Sequence, residues 1–158
     1  VLTYVLMLVV PKIDPKKRIE SMGGKYYQFK FILVTFMSAL ALVIMYISNN
    51  QKLSNPSMIV ILLGILFVFL GNYFNVIKQN YFIGIKTPWT LESEEVWKLT
   101  HLLAGKMWVV GGIVIVICSL VVPENVNFYF FIGITLVISI VPTVYSYLIF
   151  KKLKNNNQ

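Results

Sequence analysis

The sequence predicts an all-α fold, a polytopic integral membrane helical bundle, and three observations carry that prediction. Hydrophobic residues make up 58% of the 158-residue chain against 13% charged, a balance far from that of a soluble domain. The apolar residues fall in long blocks, not in the helical or alternating stripe of a half-buried element. The basic residues cluster in alternate connections between those blocks.

Crossing about 30 Å of hydrocarbon takes roughly 20 apolar residues, and segments 29–48, 57–77, 103–122 and 126–150 supply four complete transmembrane helices. Segment 1–10 is too short to cross. It opens on Val1 inside an apolar run with no basic lead-in, so it reads as the end of a truncated helix and not as a signal peptide. Residues 1–158 then form a single transmembrane domain. Pro11 ends the truncated helix, and Asp14-Pro15 and Gly23-Gly24 provide turns in the first loop. Tyr26, Tyr27 and Phe29 stand where an interfacial aromatic belt belongs. Pro142 removes a backbone donor inside the last span and should kink it. Gly111-Gly112 invites close approach of a neighbouring helix.

Charge sets the orientation. Lys12, Lys16, Lys17, Arg18, Lys25 and Lys30 crowd the first connection, Lys78, Lys86, Lys98 and Lys106 the third, and Lys151, Lys152 and Lys154 the tail. The other two connections hold only Lys52, and Glu124 without a base. The positive-inside rule puts the first loop, the third loop and the C-terminus in the cytoplasm. The net charge of +8 flanks spans, where it meets the lipid bilayer's anionic heads, so direct nucleic-acid binding is not expected.

The third connection, 78–106, is the functional candidate. Residues 80–90 read NYFIGIKTPWT and combine an amide, aromatic rings, a glycine, a lysine and a proline in an otherwise lipid-compatible chain. This elbow, with the amides that precede it and the helix that follows, defines the candidate binding residues Asn72, Asn75, Asn80, Tyr81, Phe82, Gly84, Lys86, Thr87, Pro88, Trp89, Trp97 and His101. A short cytoplasmic interfacial helix is expected from Thr90 as N-cap, with Glu92, Glu94 and Glu95 in its first turns and Glu94 four residues before Lys98. Trp97, Thr100, His101, Ala104 and Trp108 share one face of it.

Several residues admit two readings. Asn72 and Asn75 either sit wet at headgroup depth or line a polar recess, since an unpaired amide in hydrocarbon is costly. Lys86 either snorkels to phosphate heads or pairs with Glu92 or Glu95. His101, the only histidine, either bonds a loop carbonyl and locks the elbow onto the helix, contacts a ligand, or acts as a base. It cannot form a two-histidine metal site, and the single cysteine, Cys118, lies in a span. No metal and no cofactor is expected. The absence of Asp, Glu, Lys and Arg from the span interiors argues against ion-coupled transport.

GNYF at 71–74, the run NYFIGIKTPWTLESEEVWKLTHLLAGK at 80–106, Gly111-Gly112, and PKIDPKK at 11–17 together resemble the SdpI family, membrane immunity proteins of the bacterial sporulation-delaying-protein toxin system. Lys86 and Leu102 depart from the family pattern, where Arg and a second basic residue are common, and both changes weaken bidentate anion recognition. Against the family's six spans, the chain would hold the last four and the end of the second. The resemblance implies a non-enzymatic protein that protects a cell from a secreted peptide toxin and relays toxin binding to a cytoplasmic transcriptional repressor. The alternatives from other classes are a membrane-embedded enzyme using His101 on a lipid or peptide substrate, and a toxin-exporting transporter subunit.

The lysine alternation makes a topological prediction. Cysteines introduced at Ser54 and Asn125 should react with membrane-impermeant thiol reagents outside intact cells, and one at Ser21 should not. Labelling at Ser21 would overturn the orientation.

Overall fold

The structure, a computed structural model, describes residues 2–15, 17–49 and 57–156. The helices are α1 (Leu2–Ile13), α2 (Gly24–Asn49), α3 (Ser57–Phe74), α4 (Pro88–Glu92), α5 (Glu94–Val121) and α6 (Glu124–Asn156), with a 3-10 turn at Glu20–Met22. No strand occurs among the described residues. Helices α2, α3, α5 and α6 are long and apolar enough to cross a membrane. Lys16 and the connection 50–56, which holds Lys52 and Ser54, lie outside the described residues.

The spine of the bundle is the antiparallel pair α3 and α5. Gly64 and Gly71 lie about two turns apart on α3, as do Gly105 and Gly112 on α5, and each pair faces the other. A Cβ on Gly71 would stand 2.7 Å from Val109 N and 2.8 Å from Gly105 O, and one on Gly112 would stand 2.5 Å from Gly64 O. The helices therefore touch backbone to backbone, the arrangement that small residues permit in a lipid-compatible core. Gly111 points elsewhere, against Ile138 of α6, at 2.8 Å from its Cγ2. The paired glycines thus serve two helices at once, one on each flank of α5.

On the other side of α3 the packing is sparse. Helix α2 leans on it through the Tyr73 hydroxyl, which donates to Gln28 Oε1 at 2.9 Å, and through the Phe29 and Tyr73 rings, 5.8 Å apart. The most apolar stretch of α2 has no buried residue. At the end of the bundle away from the elbow, Asn127 accepts from Ser119 Oγ (3.3 Å) and donates to Ser57 Oγ (3.4 Å). One buried amide there ties the ends of α3, α5 and α6 together.

Several helix limits differ from those the sequence suggests. Helix α2 begins at Gly24, so Tyr26 and Tyr27 lie inside it. Helix α3 stops at Phe74, with Val76 N turning back to Tyr73 O at 3.0 Å, which frees Asn75 to Ile77 for the loop. Thr90 is not an N-cap. Thr87 caps the short α4, and Ser93 interrupts the chain and caps α5 by accepting from Val96 N. From Glu94 the expected interfacial helix and the span expected at 103–122 are one continuous helix, since no residue between Glu94 and Val121 breaks the hydrogen-bond ladder.

Neither internal proline terminates its helix. Helix α1 continues past Pro11 to Ile13, and α6 past Pro142 to Asn156. A proline in a helix leaves the carbonyl four residues earlier without its donor, here Met7 O and Ile138 O. Both are claimed from a neighbouring helix: Tyr26 OH donates to Met7 O at 2.6 Å, and Trp108 Nε1 to Ile138 O at 3.0 Å. In hydrocarbon such carbonyls have no water to turn to.

This pairing predicts a thermodynamic coupling. Trp108→Phe should destabilise the wild-type bundle by about 1 kcal/mol through the orphaned carbonyl. In a Pro142→Ala background the restored amide takes Ile138 O, and the polar part of that cost should vanish. Equal penalties for Trp108→Phe in the two backgrounds, measured by unfolding in detergent, would refute the assignment.

Candidate functional site

Between α3 and α5 the chain forms a loop, residues 75–87, whose organiser is Asn80. Its side chain is fully buried. Oδ1 accepts from Phe82 N (2.8 Å) and Ile83 N (2.7 Å), while Nδ2 donates to Lys78 O (2.7 Å) and Ile83 O (3.1 Å). An amide is the side chain that can hold two donors and two acceptors of a tight turn at once. Beside it, Gln79 Nε2 donates to Thr90 O (2.8 Å) and Leu91 O (3.0 Å), which satisfies carbonyls at the end of α4 that the short helix leaves open.

Helix α4 is held by a reciprocal cap. Thr87 Oγ1 accepts from Thr90 N at 3.3 Å, and Thr90 Oγ1 accepts from Thr87 N at 2.9 Å. Pro88 follows at the first helical position, where its missing N–H costs nothing. The cap is then bolted to α6. Thr87 Oγ1 lies 3.2 Å from Ser146 Oγ, Trp89 Nε1 donates to the same oxygen, and Ser146 donates to Thr143 O at 2.6 Å. The Trp89 ring meets Tyr147 edge-on with centroids 5.2 Å apart.

His101 closes the other side. Ile85 N donates to its Nε2 at 3.0 Å, and Nδ1 lies 2.8 Å from Trp97 O. A carbonyl only accepts, so Nδ1 carries the proton and Nε2 is the bare acceptor; the geometry defines the neutral Nδ1–H tautomer. The loop partner of His101 is therefore an amide and not the carbonyl expected from the sequence, because the carbonyl it bonds belongs to its own helix. The ring stacks on Trp97 at 4.1 Å and takes the edge of Phe74 at 5.6 Å. Trp97 Nε1 donates to Ile77 O at 2.8 Å. Gly84, at φ 110°, passes over this pair. A Cβ there would collide with His101 Nε2 and reach the Trp97 ring at 3.1 Å, so glycine is required both for its backbone angle and for lack of room.

The first loop docks on the same end. Arg18 pairs with Glu94, Lys78 Nζ donates to Ser21 Oγ at 3.1 Å, and Ile19 and Met22 join Phe74 and Trp97 in one buried cluster. Asp14 Oδ2 accepts from Ile19 N at 3.0 Å and shapes that loop.

The structure thus brings Asn80, Gly84, Thr87, Trp89, Trp97 and His101 into one interlocked unit. Asn72, Asn75, Tyr81, Lys86 and Pro88 are exposed, and Phe82 is partly buried. Asn75 stands at the mouth of a cleft, whereas Asn72 does not line it. Lys86 pairs with neither Glu92 nor Glu95; its Nζ donates to Phe82 O at 3.2 Å. Glu94 turns to Arg18 and not to Lys98, because the first loop lies across the start of α5. The sequence offers a faint signal for Gln79, an amide adjoining Asn80, and none for Ser146, a small hydroxyl in a lipid-facing run. Thr100 is buried on the same stretch of α5 with its hydroxyl unpartnered.

A multi-pass membrane protein with a folded elbow at one end of its bundle is the class these features define. Residues 76–146 match the SdpI/YfhL protein family, a segment that opens at the elbow and ends at Ser146. Over this segment the chain is similar to that family. It is 36% identical over 93 residues to the Immunity protein SdpI of Bacillus subtilis (strain 168), an alignment covering 59% of this chain and 44% of that protein. The chain therefore spans less than half the length of the curated relative it matches. No solved structure matches the chain.

The histidine lock has a direct readout. Amide exchange at Ile85 should be slow in the wild type and at least about tenfold faster in Gly84→Ala and His101→Ala, the loss expected for one buried hydrogen bond. Amides in the middle of α5 should keep their protection. Wild-type exchange at Ile85 in Gly84→Ala would sink the account of this contact.

Proposed function

We propose that the protein is a non-enzymatic immunity protein of the bacterial cytoplasmic membrane, protecting its cell from a secreted peptide toxin. The observation that carries this reading is the 36% identity to an immunity protein over 93 residues, together with a family match that contains the whole elbow. The outer connections meet the toxin, and the elbow, with the C-terminus, faces the cytoplasm as the lysine alternation requires. There it passes the effect to a cytoplasmic partner, a transcriptional repressor.

The chemistry of the elbow supports a recognition role over a catalytic one. Both ring nitrogens of His101 are committed to backbone groups, which leaves neither free to take a substrate proton. The elbow residues bind and shape a surface. Hydrogen bonds joining Ser146 to Thr87 and Trp89, and Ile85 to His101, would let a displacement of α6 or α5 be felt at the loop.

Survival of toxin-treated cells expressing the protein, scored with its abundance in the membrane, tests the reading. Wild type should protect. Gly84→Val and Trp89→Ala should lose protection at normal abundance, because each breaks the elbow and leaves the apolar spans intact. Asn50→Ser, in a connection outside the described residues, should be nearly silent. Failure of the wild type to protect would remove the immunity reading; full protection by both elbow variants would remove the elbow from it.

A further inference from the structure

We propose that the cleft between the end of α3 and the start of α5 binds one anionic phospholipid, its phosphate held by Lys78 and Lys98. The proposal goes beyond the immunity reading and does not rest on it. The cleft has a volume of about 280 Å3, and the charged groups that line it are Arg18, Lys78, Lys98 and Glu94. Glu94 is the only carboxylate among them, and Arg18 has claimed it.

Two ammonium groups are left over. Lys98, one turn from Glu94, forms no ion pair among the described residues, and Lys78 Nζ meets only the neutral oxygens of Ser21, at 3.1 and 3.4 Å. A pair of cations beside one cleft with no counter-charge is an anion site, and lysine serves phosphate as a point charge.

The remaining wall decides which anion. Phe74, Ile77 and Leu102 line the cleft as well, and Leu102 is 43% exposed. Leu102 lies one turn beyond Lys98 on α5, about 6 Å further toward the apolar span. Charge at the polar level and exposed hydrocarbon at the next turn match an amphiphile standing in the bilayer, with phosphate at the lysines and its glycerol and upper acyl segment along Phe74 and Leu102. A free phosphate would satisfy the charge and leave the apolar wall uncovered.

Native mass spectrometry of the purified protein, titrated with phosphatidylglycerol or phosphatidylcholine of the same acyl chains, tests this. One phosphatidylglycerol should be retained in preference to phosphatidylcholine. Lys78→Gln and Lys98→Gln should each weaken it about fivefold, and the double variant about 25-fold. The charge-retaining K78R/K98R should bind like the wild type, and Lys152→Gln in the tail should change nothing. Circular dichroism separates lost binding from lost folding; should the double glutamine variant unfold, Lys98→Gln compared with Lys98→Arg decides. Equal retention of the two lipids, undiminished affinity in the folded glutamine variants, or displacement of the lipid by an equal concentration of glycerol 3-phosphate would overturn the proposal. Toxin survival does not enter this measurement, so its outcome is separate from that of the immunity reading.

Discussion

Where α3 meets α5 there are no side chains to separate them. Gly64 opposes Gly112 and Gly71 opposes Gly105, and a methyl at any of these positions would come within 3.0 Å of a backbone atom of the other helix. In lipid, water expulsion does not drive helices together, so association depends on how closely their surfaces fit. Everything at the elbow end is positioned by this contact. Gly71 and Gly105 sit one turn from Phe74 and His101 respectively, and their contact brings those two rings edge to face.

A continuous line of rings follows from the same register. Phe131 meets Phe67, Phe67 meets Trp108 at 4.8 Å, Trp108 meets Phe74 at 5.0 Å, and Phe74 meets His101, which stacks on Trp97. Residues of α3, α5 and α6 contribute to it. Polar groups within this apolar column are satisfied one by one. The indole of Trp108 caps the carbonyl that Pro142 releases, and the indole of Trp97 takes Ile77 O. Tyr26 does for Pro11 what Trp108 does for Pro142. The carbonyls that the prolines free, Met7 O and Ile138 O, thereby become acceptors that pin neighbouring helices, which is how a helix without water tolerates a proline.

The elbow is built on a different economy, of hydrogen bonds made within a short stretch of chain. Asn80 saturates its amide on the loop, the two threonines cap each other, and Gln79 closes α4. Three fasteners then attach the unit to the bundle: His101 to α5, Ser146 to α6, and Arg18 with Ser21 to the first loop. A surface so held can recognise a partner with little ordering cost on binding. The same hydrogen bonds couple it to α5 and α6.

The sequence by itself determined the all-α membrane bundle, because hydrocarbon thickness fixes the length of an apolar run and composition alone reveals it. It also singled out the connection 78–106, with Gly84 among its candidate residues, since local turn chemistry is written in local residues. What only the tertiary structure decided were the partners. That Gly111 and Gly112 serve different helices, that Glu94 chooses Arg18 over Lys98, that Ser146 is the anchor of Thr87 and Trp89, and that Ile85 donates to His101 all join residues from 12 or more positions apart to one another or reverse a local preference. Helical periodicity assigns a residue to a face. Which neighbour covers that face depends on how the glycine-lined helices slide into register, and that is a property of the packed bundle.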